Sequence, residues 1–240
     1  MKFKLSKLFY LVITGLFFMT SCASFKMTDL KPTPKNSRIL PTLQTRIDMN
    51  SFESAYSLGT SSSISVGTFQ GSSSNNSNSS KISGLGTAVS SSTMSKDVRI
   101  QDAITIFDRD VKDNITDPFG DFKGYILCKI NASSEKQNLG WAFLSGLTLM
   151  VPNIFGMPIG AYKIILDVDV EVYNKSEKLI AKYNASAKHK KYMAAYWGYG
   201  QDASRVANIM AFRDAMNQIK AQIDKDYDNV FQKLNLKTKP

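Results

Sequence analysis

The run YKIILDVDVEVY, Tyr162 to Tyr173, alternates for its whole length. Tyr162, Ile164, Leu166, Val168, Val170 and Val172 fall on one side of an extended chain. Lys163, Asp167, Asp169 and Glu171 fall on the other. A period of two, apolar against charged, is the pattern of a strand with one face buried. Asn174 to Glu177 carries turn residues, and Leu179, Ala181, Tyr183, Ala185 and Ala187 repeat the alternation beyond it. The two runs predict an antiparallel hairpin whose sheet is covered on one side only.

Outward from the hairpin the period changes. Asp97 to Asp113 places Ile100, Ala103, Ile104, Phe107 and Val111 at helical spacing, with Ile115 beyond and Asp117-Pro118 as a stop. Asp97 is read as the N-cap. Phe122 to Ile130 reads as a strand with Phe122, Ile126, Cys128 and Ile130 on one face, and a first strand is read within Ile39 to Phe52, entered after Pro41. Asp202 is read as the cap of a long helix whose buried stripe is Val206, Ile209, Met210, Met216, Ile219 and Ile223. The expected fold is α+β: a two-layer sandwich, mainly antiparallel sheet, with helices on one face.

The domain plan follows from composition. Residues 96–234 form the α+β domain and 39–56 a first-strand region, with 235–240 a basic tail. Residues 57–95 are Ser/Asn-rich. Their centre, GSSSNNSNSS at Gly71 to Ser80, has no apolar group to offset the entropy of ordering, so a flexible loop is expected. Residues 22–38 contain Pro32, Pro34 and several lysines without apolar periodicity, and read as a tether. An apolar content of 43% with 11% aromatics fits a globular body.

The N-terminus carries the most specific signal. Met1 to Lys7 is basic, Leu8 to Met19 is uncharged and apolar, and Thr20-Ser21 supplies small residues before Cys22. This is the layout of a secretory signal over residues 1–21. Met19-Thr20-Ser21-Cys22 resembles the lipobox read by lipoprotein signal peptidase, with Met where Leu is usual. The resemblance implies a diacylglyceryl group on the sulfur of Cys22 and an amide-linked acyl chain, a stable lipid anchor. Ala23-Ser24 lacks the aspartate that retains enterobacterial lipoproteins at the inner membrane. The expected location is the periplasmic face of the outer membrane, with a Gram-positive cytoplasmic-membrane anchor as the other reading. Losing Lys2, Lys4 and Lys7 takes three charges from the formal +10 and leaves +7. Apart from Lys188, Lys190, Lys191 and the tail the lysines are scattered, which fits general solubility first and an anionic membrane second. Nucleic acid is not an expected partner of an exported protein.

Catalysis finds little support in the residues. His189 is the only histidine and has no acid beside it in sequence, and Cys128, the one cysteine left after Cys22, reads as a small buried hydrophobe. No metal site and no cofactor are expected, because zinc needs three or four ligands at suitable spacing. Asp167, Asp169 and Glu171 share a strand face and could bind a hard cation, against the plain reading of a solvent-facing charged row. Gly198-Tyr199-Gly200 lacks the pattern of a phosphate loop.

Two stretches point to contact instead. Leu139 to Gly160 carries no charge, but Pro152, Gly156 and Pro158 interrupt it before it could span a bilayer. It reads as a short helix and a Gly-Pro loop, buried in the core, docked on a partner or dipping into lipid. Tyr192 to Tyr199 holds four aromatics in YMAAYWGY. Trp141, Phe155, Tyr196 and Trp197 are the candidate contact or apolar-ligand residues.

From Asp102 to Ile223 the order of features resembles a diffuse group of bacterial lipoproteins: helix, strand, Trp141, Ser145, Thr148 and Leu149 leading to Gly156 and Pro158, hairpin, Tyr-Trp-Gly-Tyr, Ala-rich helix. Its architecture is similar to the small α+β domains of curli-secretion lipoproteins and of the TolB N-terminal domain, which implies an assembly or accessory role. The expected function is a non-catalytic envelope lipoprotein that binds or scaffolds envelope proteins. The alternative is a carrier holding an apolar ligand between the sheet and the Trp141–Pro158 segment.

Overall fold

The computed structural model describes residues 25–58, 96–138, 157–194 and 202–235. The leader, Cys22, nearly all of the Ser/Asn-rich tract and most of the uncharged and aromatic stretches lie outside them. In chain order the elements are β1 (Leu43–Ile47), α1 (Met49–Leu58), α2 (Lys96–Asp110), a π-helical turn (Val111–Ile115), β2 (Gly124–Asn138), β3 (Gly160–Asn174), β4 (Leu179–Met193), α3 (Ala203–Lys225) and α4 (Tyr227–Asn235). The sheet order is β1-β2-β3-β4, with β1 parallel to β2 and the other neighbours antiparallel. The α+β class is as the alternation predicts, and among the described residues the helices lie on one face of the sheet.

Every even-numbered residue of β3 from Ile164 to Val172 is completely buried against the helical layer. Helix α3 lies across β3 and β4, α1 lies on β2, and α2 packs against both helices. The α3 stripe is buried as expected, only Met210 reaching the margin, and Ala207, Ala211, Phe212 and Ala215 widen it. Small residues there let the helix approach the sheet closely.

Four local readings need correction. Phe122 lies outside β2 and is exposed, and the strand runs eight residues further than Ile130, to Asn138. Asp97 sits in the first turn of α2, which begins at Lys96. Asp202 makes no side-chain cap; its carboxylate instead accepts the backbone N–H of Phe25 at 3.1 Å. Finally, the residues read as a tether are strapped to the body. Phe25 is buried in the core, Lys220 Nζ donates to the Pro34 carbonyl at 3.2 Å, and Arg38 Nη1 donates to both carboxylate oxygens of Asp228 at 2.9 Å. Thr33 bonds the Asp110 carboxylate, and Asn36 Nδ2 reaches the Lys220 carbonyl at 3.4 Å. A polar segment without periodicity orders here because its hydrogen bonds go to α2, α3 and α4 rather than to itself.

Candidate interaction surfaces

A bulge in β2 decides which side chains reach each face. The register shifts between Ile130 and Ala132, so the inward set changes from Ile126, Cys128 and Ile130 to Ser133, Glu135 and Gln137. Glu135 thus meets Arg99 of α2 beneath the sheet, in an ion pair that Ser204 completes by donating to Glu135 Oε1 at 2.7 Å. Arg99 is 2% exposed, one of the largest fully buried side chains. The pair ties the start of α2 to the start of α3. Beside it Arg205 forks onto Asp102 at 2.8 and 2.9 Å and lies over the Phe25 ring at 5.5 Å.

The outer face is polarised along its length. In the middle, Asp169 and Glu171 are 4% and 5% exposed, which corrects the reading of a solvated row. Lys182 reaches both, at 2.7 and 3.3 Å; Lys129 reaches Glu171 at 2.8 Å and Asn184 donates to Asp169 at 2.5 Å. Burial opposes ionisation of these two carboxyls, but the hydrogen bonds outweigh it and hold both below the usual carboxylate range. Ammonium groups occupy the places a hard cation would take. Among the described residues no group of three His, Cys, Asp or Glu stands where it could hold a metal.

Toward the end where β2 and β4 finish and β3 begins, the same face turns basic. Lys136, Lys163 and Lys190 are direct neighbours across three strands, and Lys188 lies one row further in, beside Ile165. Lys136, Lys188 and Lys190 are exposed and Lys163 half-buried. Among the described residues none of the four is paired with a carboxylate. The charge of Lys188, then its hydrogen bond, and more weakly Lys136 and Lys190 hold the Lys163 ammonium below the ordinary lysine value. Lys190 is also 4.5 Å from the centre of the Tyr192 ring. In sequence only Lys188 and Lys190 stood close together; strand pairing and the bulge bring in Lys136 and Lys163.

At the opposite end Phe119 is 94% exposed on the turn that precedes β2. The turn is well held. Phe119 N–H donates to Asp117 Oδ1 at 3.0 Å, Thr42 Oγ1 donates to the Asp117 carbonyl at 2.6 Å, and Lys123 N–H donates to the Thr42 carbonyl at 2.9 Å. Behind it opens a cleft of about 530 Å³, lined by Lys35, Ile39, Lys112, Thr116, Pro118 and Phe119 among others. Sequence reading passed over Phe119 because one aromatic in a Pro-Phe-Gly turn has no periodicity to announce it.

His189 has an acid after all: Asp214 of α3 stands 3.2 Å from its Nδ1, brought there by the packing of helix on strand. Cys128 is wholly buried; burial, then the charge of Asp169, raises its thiol far above the ordinary value, as a packing role requires. Cys22, Trp141, Phe155, Tyr196 and Trp197 lie outside the described residues. The described chain enters the segments holding the last four at Asn138 and Ala194, and leaves them at Met157 and Asp202. Asn138, Met157 and Ala194 are at the basic end of the sheet by the pairing of Asn138 with Ala161 and of Gly160 with Met193, and the Ser204–Glu135 bond brings Asp202 to the same end.

No family model matches the chain, and no curated protein sequence matches it. Among solved structures it is similar to a candidate lipoprotein from Caulobacter crescentus CB15, at 11% identity and a TM-score of 0.26 over 58% of this chain and 80% of that one. At that score the likeness carries no argument about this chain. No helix among the described residues is long and apolar enough to cross a membrane.

Proposed function

We propose that the protein is an envelope lipoprotein, anchored through acylated Cys22 on the periplasmic face of the outer membrane, that serves as a non-catalytic binding or scaffold component. The observation that supports this reading best is Phe119. A large aromatic 94% exposed on a turn fixed by three hydrogen bonds is held ready to serve as an anchor in a partner's pocket. The position of the tip fits a presenting role. Strand β2 alone separates it from the Phe25 end by about 45 Å at roughly 3.3 Å per residue. A partner at the tip would therefore be engaged well away from the anchored end.

Two measurements test the proposal. Cys22→Ala should abolish incorporation of labelled fatty acid and release the protein from membranes; continued labelling would remove the anchor. A photo-crosslinking residue in place of Phe119 should give a discrete protein adduct in intact cells, whereas the same residue in place of exposed Lys233 should not. Equal yields at both positions would remove the tip as a binding surface.

A further inference from the structure

We propose that the basic end of the outer face is a docking surface for anionic phospholipid headgroups, and that it sets the body end-on against the bilayer. The inference deepens the lipoprotein reading and rests on it for orientation. Two independent observations converge. The first is the lysine group. Lys136, Lys163, Lys188 and Lys190 come from three strands onto one patch and, among the described residues, none makes an ion pair with a carboxylate, while Lys129 and Lys182 further along the same face are matched to Asp169 and Glu171. The second is where the chain emerges. Phe25, three residues after Cys22, is bonded to Asp202 just ahead of α3, and α3 begins at the end of the sheet where β4 finishes. Three residues extended reach roughly 10 Å, so an acylated Cys22 holds that end, and no other, next to the membrane.

A strand rises about 3.3 Å per residue, so the Lys136–Lys163–Lys190 row stands about 7–10 Å from the strand ends. Lysine side chains from that depth extend their ammonium groups to headgroup phosphates while their stems stay on the protein. The acyl chains supply the holding force and the lysines the orientation. Exposed Tyr192, in contact with Lys190, adds an aromatic of the kind that sits at a membrane–water interface. Phosphatidylglycerol-type headgroups are the chemistry that fits: one negative charge each, spread across a plane, against a row of positive charge that crosses β2, β3 and β4 near the end that meets the bilayer.

The test uses residues 23–240, which carry no lipid and keep every described contact. In flotation with vesicles of one-third phosphatidylglycerol in phosphatidylcholine, this chain should bind, and with pure phosphatidylcholine it should not. Replacing Lys136, Lys163, Lys188 and Lys190 by Gln should lower the partition coefficient roughly fivefold per lysine, about 600-fold in all. A control replaces Lys35, Lys123, Lys175 and Lys178, far from that end, and removes the same charge; it should keep most of the binding. Equal loss in both variants would reduce the effect to net charge and overturn the proposal, as would full binding by the first. Abolition of binding by millimolar inorganic phosphate would point to a small-anion site instead and equally overturn it. Because this chain has no lipid, its flotation is independent of fatty-acid labelling at Cys22, and the two readings fail separately.

Discussion

At Gly124 the backbones of β2 and β3 leave no room for a side chain. A Cβ there would stand 1.9 Å from the Tyr173 carbonyl oxygen and 2.9 Å from the Asn174 Cα, both backbone atoms that cannot rotate away. Gly124→Ala should therefore push β2 from β3 where the pairing starts, at a cost of about 1–3 kcal/mol in overpacking. Urea denaturation would read this as a lower midpoint with an unchanged slope; an unchanged midpoint would mean that the strand ends spread freely. Beside it the Tyr125 and Tyr173 rings stack at 4.7 Å, and Arg46 lies 3.9 Å over Tyr125. A side chain at residue 124 would disturb these contacts first.

At the scale of elements, the N-terminal strap separates a structural part from a spacer. A spacer would tolerate any change at Phe25. Packed as it is against α3 and under Arg205, Phe25→Ala should instead cost about 3 kcal/mol through lost burial and a cavity. Chemical denaturation of the lipid-free chain checks this, and a loss below about 0.5 kcal/mol would return residues 25–38 to the status of a linker. The strap was illegible because its bonds to the body are to residues 77 to 190 positions away, and no local pattern encodes those. The hairpin, α3 and most of α2 were legible because their periodicity is local and strong. Helix α1 had a signal that the strand reading of Ile39 to Phe52 absorbed: Asp48 accepts the Ser51 N–H at 3.2 Å as a true cap, and Phe52, Ala55 and Tyr56 form its buried face. The lysine patch was half legible. Period-two reading carried past Ile130 turns Lys136 inward, and only the bulge after Ile130 turns it out.

Taken whole, the molecule carries its titrating groups in a way that limits stability on both sides of neutrality. Asp108, Asp169 and Glu171 all have carboxyls held below their ordinary value; burial acts against this, and hydrogen bonds from lysines and neighbours overcome it. A depressed carboxyl contributes stability that is complete above the unfolded value of about 4 and lost as pH falls through the folded one. On the other side, the hydrogen bond to Glu171, then burial, pushes the Tyr173 phenol up to about 12, and burial, then Asp226, raises Tyr183 further. A raised phenol contributes stability that is complete below the unfolded value of about 10 and lost as pH climbs toward the folded one. The melting temperature should hold a plateau between about pH 5 and 9 and fall on either side. Glu171 belongs to both limbs, because its carboxylate is fixed by Lys129 and Lys182 and itself accepts the Tyr173 hydroxyl at 2.7 Å. Glu171→Gln should cost about 1–3 kcal/mol of stability across the plateau for a broken charged hydrogen-bond set, read as a lower melting temperature there. It should also make both limbs shallower, the acid one because one depressed carboxyl is gone and the alkaline one because Tyr173 loses the main cause of its shift. Tyr173→Phe should flatten the alkaline limb alone. Melting curves of the three proteins from pH 3 to 11 check this, and an alkaline limb unchanged in Glu171→Gln would show that the carboxylate does not govern the phenol.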